Sequence, residues 1–89
     1  MPIAISNDNN ERIDYLCSDI WDLPTQILEL EKWLESEGSK LKMDKYAADI
    51  GFEMRSNAGG GGAVLNSNMI KILNSIGMEI YFSEYPTEK

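Results

Sequence analysis

Apolar residues recur with helical spacing between residues 22 and 37, and this is the clearest helix signal in the chain. The apolar positions are Leu23, Ile27, Leu30 and Leu34. They follow an i, i+4, i+7, i+11 pattern, which places them on one face of an α-helix. Pro24 suits the first helical turn, where a missing N–H has no partner to lose. We expect Gly38 to end the helix in a left-handed conformation.

A second helix is predicted after Leu65. Asn66 is expected as its N-cap, with Leu65 and Ile70 in the two positions of a hydrophobic staple. The buried stripe of this helix is predicted to consist of Met69, Ile70, Leu73 and Ile76. Gly77 follows as the expected left-handed glycine at its C-terminal end.

Two further segments alternate between apolar and polar residues, which is typical of half-buried strands. In residues 45–55 the apolar set is Tyr46, Ala48, Ile50, Phe52 and Met54. In residues 78–85 the apolar set is Met78, Ile80 and Phe82. Pro86 is expected to end the second of these strands.

The N-terminal part of the chain gives weaker signals. Ile3 and Ile5 alternate with small residues and predict a short strand over residues 2–6, before a polar turn. Residues 11–21 are compatible with two structures. The positions that fit a helical stripe are Ile13, Leu16, Cys17 and Ile20, whereas Ile13, Tyr15 and Cys17 fit one face of a strand.

These elements predict an α+β fold in a single small domain, residues 1–89. Helices with one apolar stripe and strands with one apolar face form two layers. We therefore expect a two-layer sandwich, with two helices packed on one face of a small mixed or antiparallel sheet. The other face of the sheet is predicted to be polar, so it is either solvated or binds a ligand. Its residues are Asp49, Glu53, Arg55, Glu79 and Tyr81.

Four consecutive glycines, residues 59–62, raise the question of a phosphate-binding loop. A P-loop requires Lys and then Ser or Thr after its last glycine, but Ala63 and Val64 follow here. The glycine spacing of a dinucleotide-binding turn is also missing, and the second helix begins only after Leu65. We interpret the glycines as a turn that tolerates positive φ, followed by a short strand at residues 63–65.

The net charge of −7 is concentrated at one end of the chain. Residues 1–37 contain nine acids against Arg12 and Lys32, whereas residues 38–89 contain equal numbers of acids and bases. An acidic face repels nucleic acid and anionic membranes, so we expect neither as a partner. It attracts a basic protein surface, although a solubilising acidic surface explains the same charge without any partner.

The chain contains no histidine and a single cysteine, Cys17. A zinc site therefore lacks ligands, and the commonest general base is missing, so we expect no metal, cofactor or catalytic residue. A lone cysteine fits a reducing compartment. Neither a signal peptide nor a membrane-spanning run is evident, and we expect a cytoplasmic protein. Cys17, Trp21 and Trp33 are interpreted as core residues.

The polar side of the helix predicted over residues 22–37 includes one apolar residue. A helical wheel places Leu28 away from the apolar stripe and among charged residues. These are Glu31, Lys32 and Glu35. An aliphatic anchor surrounded by charge resembles a protein-binding hot spot. A single exposed leucine is also ordinary on a protein surface.

Two stretches carry a resemblance to a known family: "DLPTQILELEKWL" and "KYAADIGFEMRSNAGGGGAVLNSNMIKILNSIGMEIYFSEYP". A helix precedes an alternating strand, and a glycine-rich turn leads to a second helix and a strand that ends at Tyr85. Residues 20–86 thus resemble the C-terminal part of a bacterial family of unknown function, the one numbered 4279. The family's longer N-terminal portion is shortened or missing here. The resemblance implies an α+β fold and favours a strand over residues 12–18. It implies no activity, so no functional residue is carried over.

The sequence therefore predicts a non-enzymatic protein-binding module. Its most specific form is an inhibitor or immunity-type protein that neutralises a basic toxin or nuclease through the acidic region 14–37. The expected partner-binding residues are Asp19, Asp22, Leu28, Glu31 and Glu35. Two other classes stay open. One is a small ligand-binding domain or enzyme that uses the polar sheet face, and the other is a subunit that self-associates through the edge of a terminal strand.

Overall fold

Two helices pack against one face of a four-stranded sheet in the computed structural model, which describes residues 2–54, 59–60 and 62–86. The elements in chain order are β1 (Ile3–Ser6), β2 (Arg12–Leu16), α1 (Leu23–Ser36), a short 3-10 helix (Gly38–Lys40), β3 (Tyr46–Glu53), α2 (Ser67–Ile76) and β4 (Met78–Tyr85). The strand order is β2-β1-β3-β4. β1 pairs antiparallel with both β2 and β3, whereas β3 and β4 are parallel. The predicted α+β arrangement is confirmed, and the sheet is mixed.

A tight hairpin joins β1 to β2. The Asn7 side chain accepts hydrogen bonds from the backbone N–H groups of Asn9 (2.9 Å) and Glu11 (3.0 Å), which closes the turn. Of the predicted strand over residues 12–18, residues 12–16 form a strand, so the strand interpretation is confirmed over the helical one for that part. The strand ends at Leu16 because the next residue, Cys17, has a left-handed backbone with φ 57°.

Asp22 caps α1 by accepting a hydrogen bond from the backbone N–H of Thr25 (3.1 Å). The predicted stripe faces the sheet, with Ile27, Leu30 and Leu34 buried. Trp33 is also buried, as predicted, and its Nε1–H donates to Asp14 Oδ2 at 2.6 Å. A hydrogen bond to a carboxylate is among the stronger kinds, so this contact ties α1 to the edge strand β2.

Gln26 is a fully buried polar residue on α1. Its Nε2 donates to the backbone carbonyls of Ile20 and Gly51, both at 2.7 Å. Its Oε1 is buried without a hydrogen-bond partner among the described residues. The two donated bonds hold the turn between β2 and α1 against β3.

The prediction of a left-handed Gly38 is wrong. α1 ends at Ser36, and Gly38 continues into the 3-10 helix without a positive φ. A glycine suits this position for a steric reason, because a Cβ there would lie 3.0 Å from both the Leu34 side chain and the Trp33 ring. The glycine lets the chain turn closely over these two buried side chains.

Asn66 caps α2 as predicted, and its side chain accepts from the Met69 N–H at 2.9 Å. The residues of α2 buried against the sheet are Met69, Leu73 and Ile76. Ile70 is 53% exposed, so its predicted place in the buried stripe is wrong. A helix turns by 100° per residue, and the stripe passes through position 72 rather than 70. Gly77 ends α2 with φ 80°, which confirms its predicted left-handed conformation.

The core lies between the helices and one face of the sheet. From the sheet it receives Ile3, Ile5, Ala48, Ile50 and Met78. Burial along β4 declines from Met78 through Ile80 to Phe82, which is about half exposed and packs edge-to-face on Phe52. The prediction of a buried Phe82 is wrong because β4 is an edge strand whose far end the helices do not cover.

The segment before α2 does not form the short strand predicted at residues 63–65, which are irregular. Gly60 and Gly62 have φ angles of 112° and 133°. These values agree with the interpretation of the glycines as a turn that uses positive φ. Gly61 and Arg55, the latter assigned to the polar sheet face, lie outside the described residues.

Candidate functional site

A groove of about 380 Å³ lies between the first turns of α1 and the segment 62–66. α1 contributes Pro24, Ile27, Leu28 and Glu31 to its lining. Leu28 is 59% exposed, as predicted, and Val64 on the other side of the groove is 73% exposed. The groove is therefore an apolar surface with a carboxylate at its rim. We call it the α1 groove.

The two predicted glutamates of this surface contact the beginning of α2. Asn66 Nδ2 donates to Glu31 Oε2 at 2.9 Å, and Asn68 Nδ2 donates to Glu35 Oε2 at 3.3 Å. Negative charge near a helix N-terminus is favourable, so these contacts help to join the two helices. Their partners are neutral amides, and within the described ranges neither glutamate forms an ion pair. Both carboxylates therefore keep their charge available to a partner.

The structure does not gather all five predicted contact residues in one place. Leu28 and Glu31 line the α1 groove, and Glu35 lies one turn further along the same side of α1. Asp22 is occupied as the N-cap of that helix. Asp19 is exposed in the turn between β2 and α1, and no described contact joins it to the groove.

A second hollow, of about 510 Å³, lies at the end of the β3–β4 pair. It is lined by Trp21, Glu53, Tyr85 and Pro86. The rings of Trp21 and Tyr85 meet edge-to-face, with centroids 5.6 Å apart and planes at 86°. Trp21 is only partly buried, so its predicted place in the core is wrong. The backbone explains its position, because the Glu53 N–H donates to the Trp21 carbonyl (2.9 Å) and brings that residue alongside β3.

Over β3 and β4, the rest of the open sheet face is polar, as predicted, and its groups bond to one another. Ser83 Oγ donates to Asp49 Oδ1 at 2.8 Å, and the Tyr81 hydroxyl donates to Glu79 Oε1 at 3.1 Å. The hydrogen bond and the negative charge of Glu79 raise the pKa of Tyr81. The phenol is therefore a weaker acid than usual.

Cys17 lies at the edge of the core rather than within it. Burial first, and then the charges of Glu29 and Asp22, raise the pKa of its thiol. A raised pKa leaves less thiolate at a given pH, and the thiolate is the reactive form. The cysteine therefore has the properties of a structural residue.

We expect Cys17 to react with iodoacetamide more slowly at pH 8 than the cysteine of a short neutral peptide, and the difference to shrink as the pH rises through the pKa of the thiol. The measurement is the alkylation rate by mass spectrometry at several pH values, with urea-unfolded protein as the control. Unfolding should restore the rate of the reference thiol. Alkylation of the folded chain at or above the reference rate would contradict the raised pKa.

Neither a metal site nor a membrane-spanning element emerges from the described residues. No three Cys, Asp or Glu side chains in the ranges 2–54, 59–60 and 62–86 are close enough together to hold an ion. No helix in these ranges is long and apolar enough to cross a membrane.

Comparisons with protein-family models, curated proteins and solved structures return no match for this chain. The resemblance to the family numbered 4279 therefore stays a prediction.

Proposed function

We propose that this chain is a non-enzymatic protein-binding module whose contact surface is the α1 groove. The observation that carries the proposal is the exposure of Leu28 and Val64 on opposite sides of one groove, with Glu31 at its rim. Interface hot spots combine a desolvated apolar centre with a polar surround. The α1 groove offers this combination in the unbound protein.

Charge indicates the kind of partner. The whole net charge of −7 arises within residues 1–37, which include α1. Glu31 and Glu35 are held in position by Asn66 and Asn68, so their charges sit at fixed points beside the groove. A partner with basic residues around one protruding apolar side chain complements this surface. Electrostatic attraction would mainly accelerate its association.

Within this class, we favour an inhibitor or immunity-type protein that acts in the cytoplasm. A chain of 89 residues that covers a basic active surface with acidic side chains needs no catalytic groups of its own. The single cysteine supports a reducing compartment. The captured partner's own activity separates an inhibitor from an adaptor, because only an inhibitor abolishes it.

The test is capture of partners from the host's lysate at low salt, with tagged wild type beside a Leu28→Ala variant. Loss of a central apolar contact commonly weakens an interface by about tenfold or more. We therefore expect a basic protein to be captured by the wild type and largely lost with Leu28→Ala. Ile70→Ala is the matched control, since Ile70 is a helical aliphatic residue of similar exposure that lies outside the groove.

A Glu31→Gln/Glu35→Gln variant tests the role of charge without removing the hydrogen-bond acceptors for Asn66 and Asn68. With the purified partner, this variant should associate several-fold more slowly at low salt, and the difference should vanish at high salt. A partner bound equally well by wild type, Leu28→Ala and the double variant would refute the α1 groove as the contact surface.

A further inference from the structure

The hollow at the end of β3 and β4 places two aromatic rings and one carboxylate together. Trp21 bonds through its backbone to Glu53, and Glu53 stands opposite Tyr85 in the parallel register. All three residues line the same hollow. The two rings meet at 86°, so the face of one ring and the face of the other form two walls of a corner.

Such a corner has a defined electrostatic character. The face of an aromatic ring carries partial negative charge and attracts a cation within about 6 Å of its centroid, and tryptophan does this best. Glu53 adds a full negative charge to the same lining. Within residues 2–54, 59–60 and 62–86 this carboxylate forms no ion pair. Three negative groups thus border a space of about 510 Å³ that is open to solvent.

We propose that Trp21, Tyr85 and Glu53 form a binding site for an alkylated ammonium group, either of a free quaternary amine or of a trimethylated lysine side chain. The inference is independent of the α1 groove, which lies elsewhere on the molecule and has a different chemistry. Aromatic walls with a carboxylate recognise methylated cations because the methyl groups pack on the rings while the diffuse charge interacts with their faces.

Other ligand classes fit this hollow less well. A divalent metal needs several oxygen ligands, and one carboxylate in the lining supplies too few. An anion is repelled by Glu53 and by the overall charge of the protein. A primary ammonium is a compact and strongly hydrated charge, so it gains little from apolar walls. An alkylated ammonium has both the charge and the apolar surface that the lining complements.

The same sheet face contains a natural comparison. Tyr81 stands opposite Asp49 in the register, just as Tyr85 stands opposite Glu53. No tryptophan lies beside the pair of Tyr81 and Asp49. The Tyr81 hydroxyl already bonds to Glu79, and the Asp49 carboxylate already accepts from Ser83. If a tyrosine beside an acid were sufficient, both positions would bind the cation. The proposal assigns binding to the second position alone.

The experiment is a titration of ¹⁵N-labelled protein with tetramethylammonium chloride at constant ionic strength. The chain has two tryptophans, so two indole N–H signals report on it, and Trp33 serves as an internal reference because it is buried and bonded to Asp14. We expect the Trp21 indole and the Glu53 and Tyr85 amides to shift with a common dissociation constant of about 1–10 mM. The Trp33 indole and the Tyr81 amide should stay in place.

Substitutions then identify the groups that bind. Trp21→Ala should weaken binding by about tenfold or more, followed through the Glu53 and Tyr85 amides. Glu53→Gln should weaken it by about threefold, because the pair is exposed to solvent. Tyr85→Leu should weaken it, whereas the matched Tyr81→Leu should not. Thermal unfolding of each variant shows whether it is folded, and the Tyr85→Leu and Tyr81→Leu pair, whose side chains are exposed, keeps the test valid if Trp21→Ala unfolds.

The neutral analogue 3,3-dimethylbutan-1-ol separates charge from shape. The proposal predicts that it binds at least several-fold more weakly than choline, its cationic isostere, and equal binding of these two would overturn it. Absence of any shift at Trp21 in tetramethylammonium would also overturn it, as would equal shifts with sodium chloride. Choline and a peptide with trimethyl-lysine then distinguish the two sources of the cation. The ligand that binds more tightly, choline or the peptide, identifies the source of the cation. Failure of both ligands to compete with tetramethylammonium would overturn the proposal.

Discussion

Replacing Gly77 by alanine is expected to lower the free energy of unfolding by about 2–4 kcal/mol, which is a large part of the stability of a small domain. Two effects combine. Gly77 has φ 80°, a left-handed conformation that costs a residue with a side chain about 1–2 kcal/mol. A Cβ at this position would also collide with the backbone carbonyl oxygen of Asp44.

The collision with Asp44 cannot be relieved by a side-chain rotation. The chain at Asp44–Tyr46 is joined to the end of α2 by two backbone hydrogen bonds, from the Asp44 N–H to Ile76 (3.0 Å) and from the Tyr46 N–H to Gly77 (3.3 Å). Moving the carbonyl away from a Cβ strains these bonds, which contribute about 1 kcal/mol each. The stability change therefore exceeds that of a left-handed residue alone.

Urea unfolding followed by circular dichroism measures the effect of Gly77→Ala. Gly59→Ala is the control, since a Cβ there meets nothing within 4 Å and the residue has no positive φ. Gly77→Asn separates the two causes, because asparagine tolerates the left-handed conformation but still carries a Cβ. We expect Gly77→Asn to remain strongly destabilised. A Gly77→Ala variant within about 0.5 kcal/mol of wild type would refute the steric argument.

Gln26→Met is expected to lower the free energy of unfolding by about 2–4 kcal/mol. Methionine keeps the length of the side chain but removes the two N–H groups that bond to the Ile20 and Gly51 carbonyls. Both acceptors then lose their side-chain donor beneath α1, and a buried polar group without a partner costs about 1–3 kcal/mol. The loss of the unpartnered Oε1 offsets part of this cost.

Lys32→Met is the matched control for Gln26→Met, because Lys32 lies on the same helix with its side chain 74% exposed. We expect the control to stay within about 0.5 kcal/mol of wild type. Hydrogen exchange adds a local measurement. The Glu53 amide bonds to the Trp21 carbonyl beside the Ile20 anchor, so its exchange should accelerate in Gln26→Met. Equal stability of the two variants would show that the Gln26 bonds contribute little.

The elements of this fold follow closely from sequence periodicity. Each helix has an apolar stripe close to the predicted place, and Asn66 caps α2 as predicted. Both signals are local, because a cap and a stripe need no distant partner to be recognised. The parallel pairing of β3 with β4 and the strand order depend on contacts between remote segments, and a single sequence contains no local signal for them.

The mistaken predictions have a common physical origin. Periodicity indicates the face on which a residue lies but not whether another element covers it. Phe82 lies on the helix-covered face, yet beyond the helices, and Ile70 lies just beside the buried stripe of α2. The sequence predicts a left-handed backbone at Gly38. The residue instead has no positive φ, and the lack of a Cβ lets its backbone lie close to the Trp33 ring. Whether a helix covers a strand residue, and how closely two segments approach, is determined only when the helices pack on the sheet.

In the candidate sites, too, the sequence predicts the local features but not the contacts between distant segments. Exposure of Leu28 was predicted from the helix alone, but its neighbour Val64 comes from an irregular segment with no pattern of its own. The pairing of Glu31 with Asn66 joins residues 35 positions apart. The contact between Trp21 and Tyr85 depends on the backbone hydrogen bond from the Glu53 N–H to the Trp21 carbonyl. The spacing of the aromatic residues in the sequence does not predict that bond.

The pairing of β3 with distant segments also has a consequence for folding. The β1–β2 hairpin closes through one short turn, whereas Tyr46 must find Met78, 32 positions later (78 − 46). Closing a longer loop costs more chain entropy and is slower. Until β4 arrives, one edge of β3 is an unpaired template that a neighbouring chain can occupy. The other edge of β3 pairs with β1 from 41 to 47 positions away (47 − 6 and 50 − 3), so both edges of this strand stay unpaired until distant segments dock, and we expect a partly folded chain to aggregate through β3.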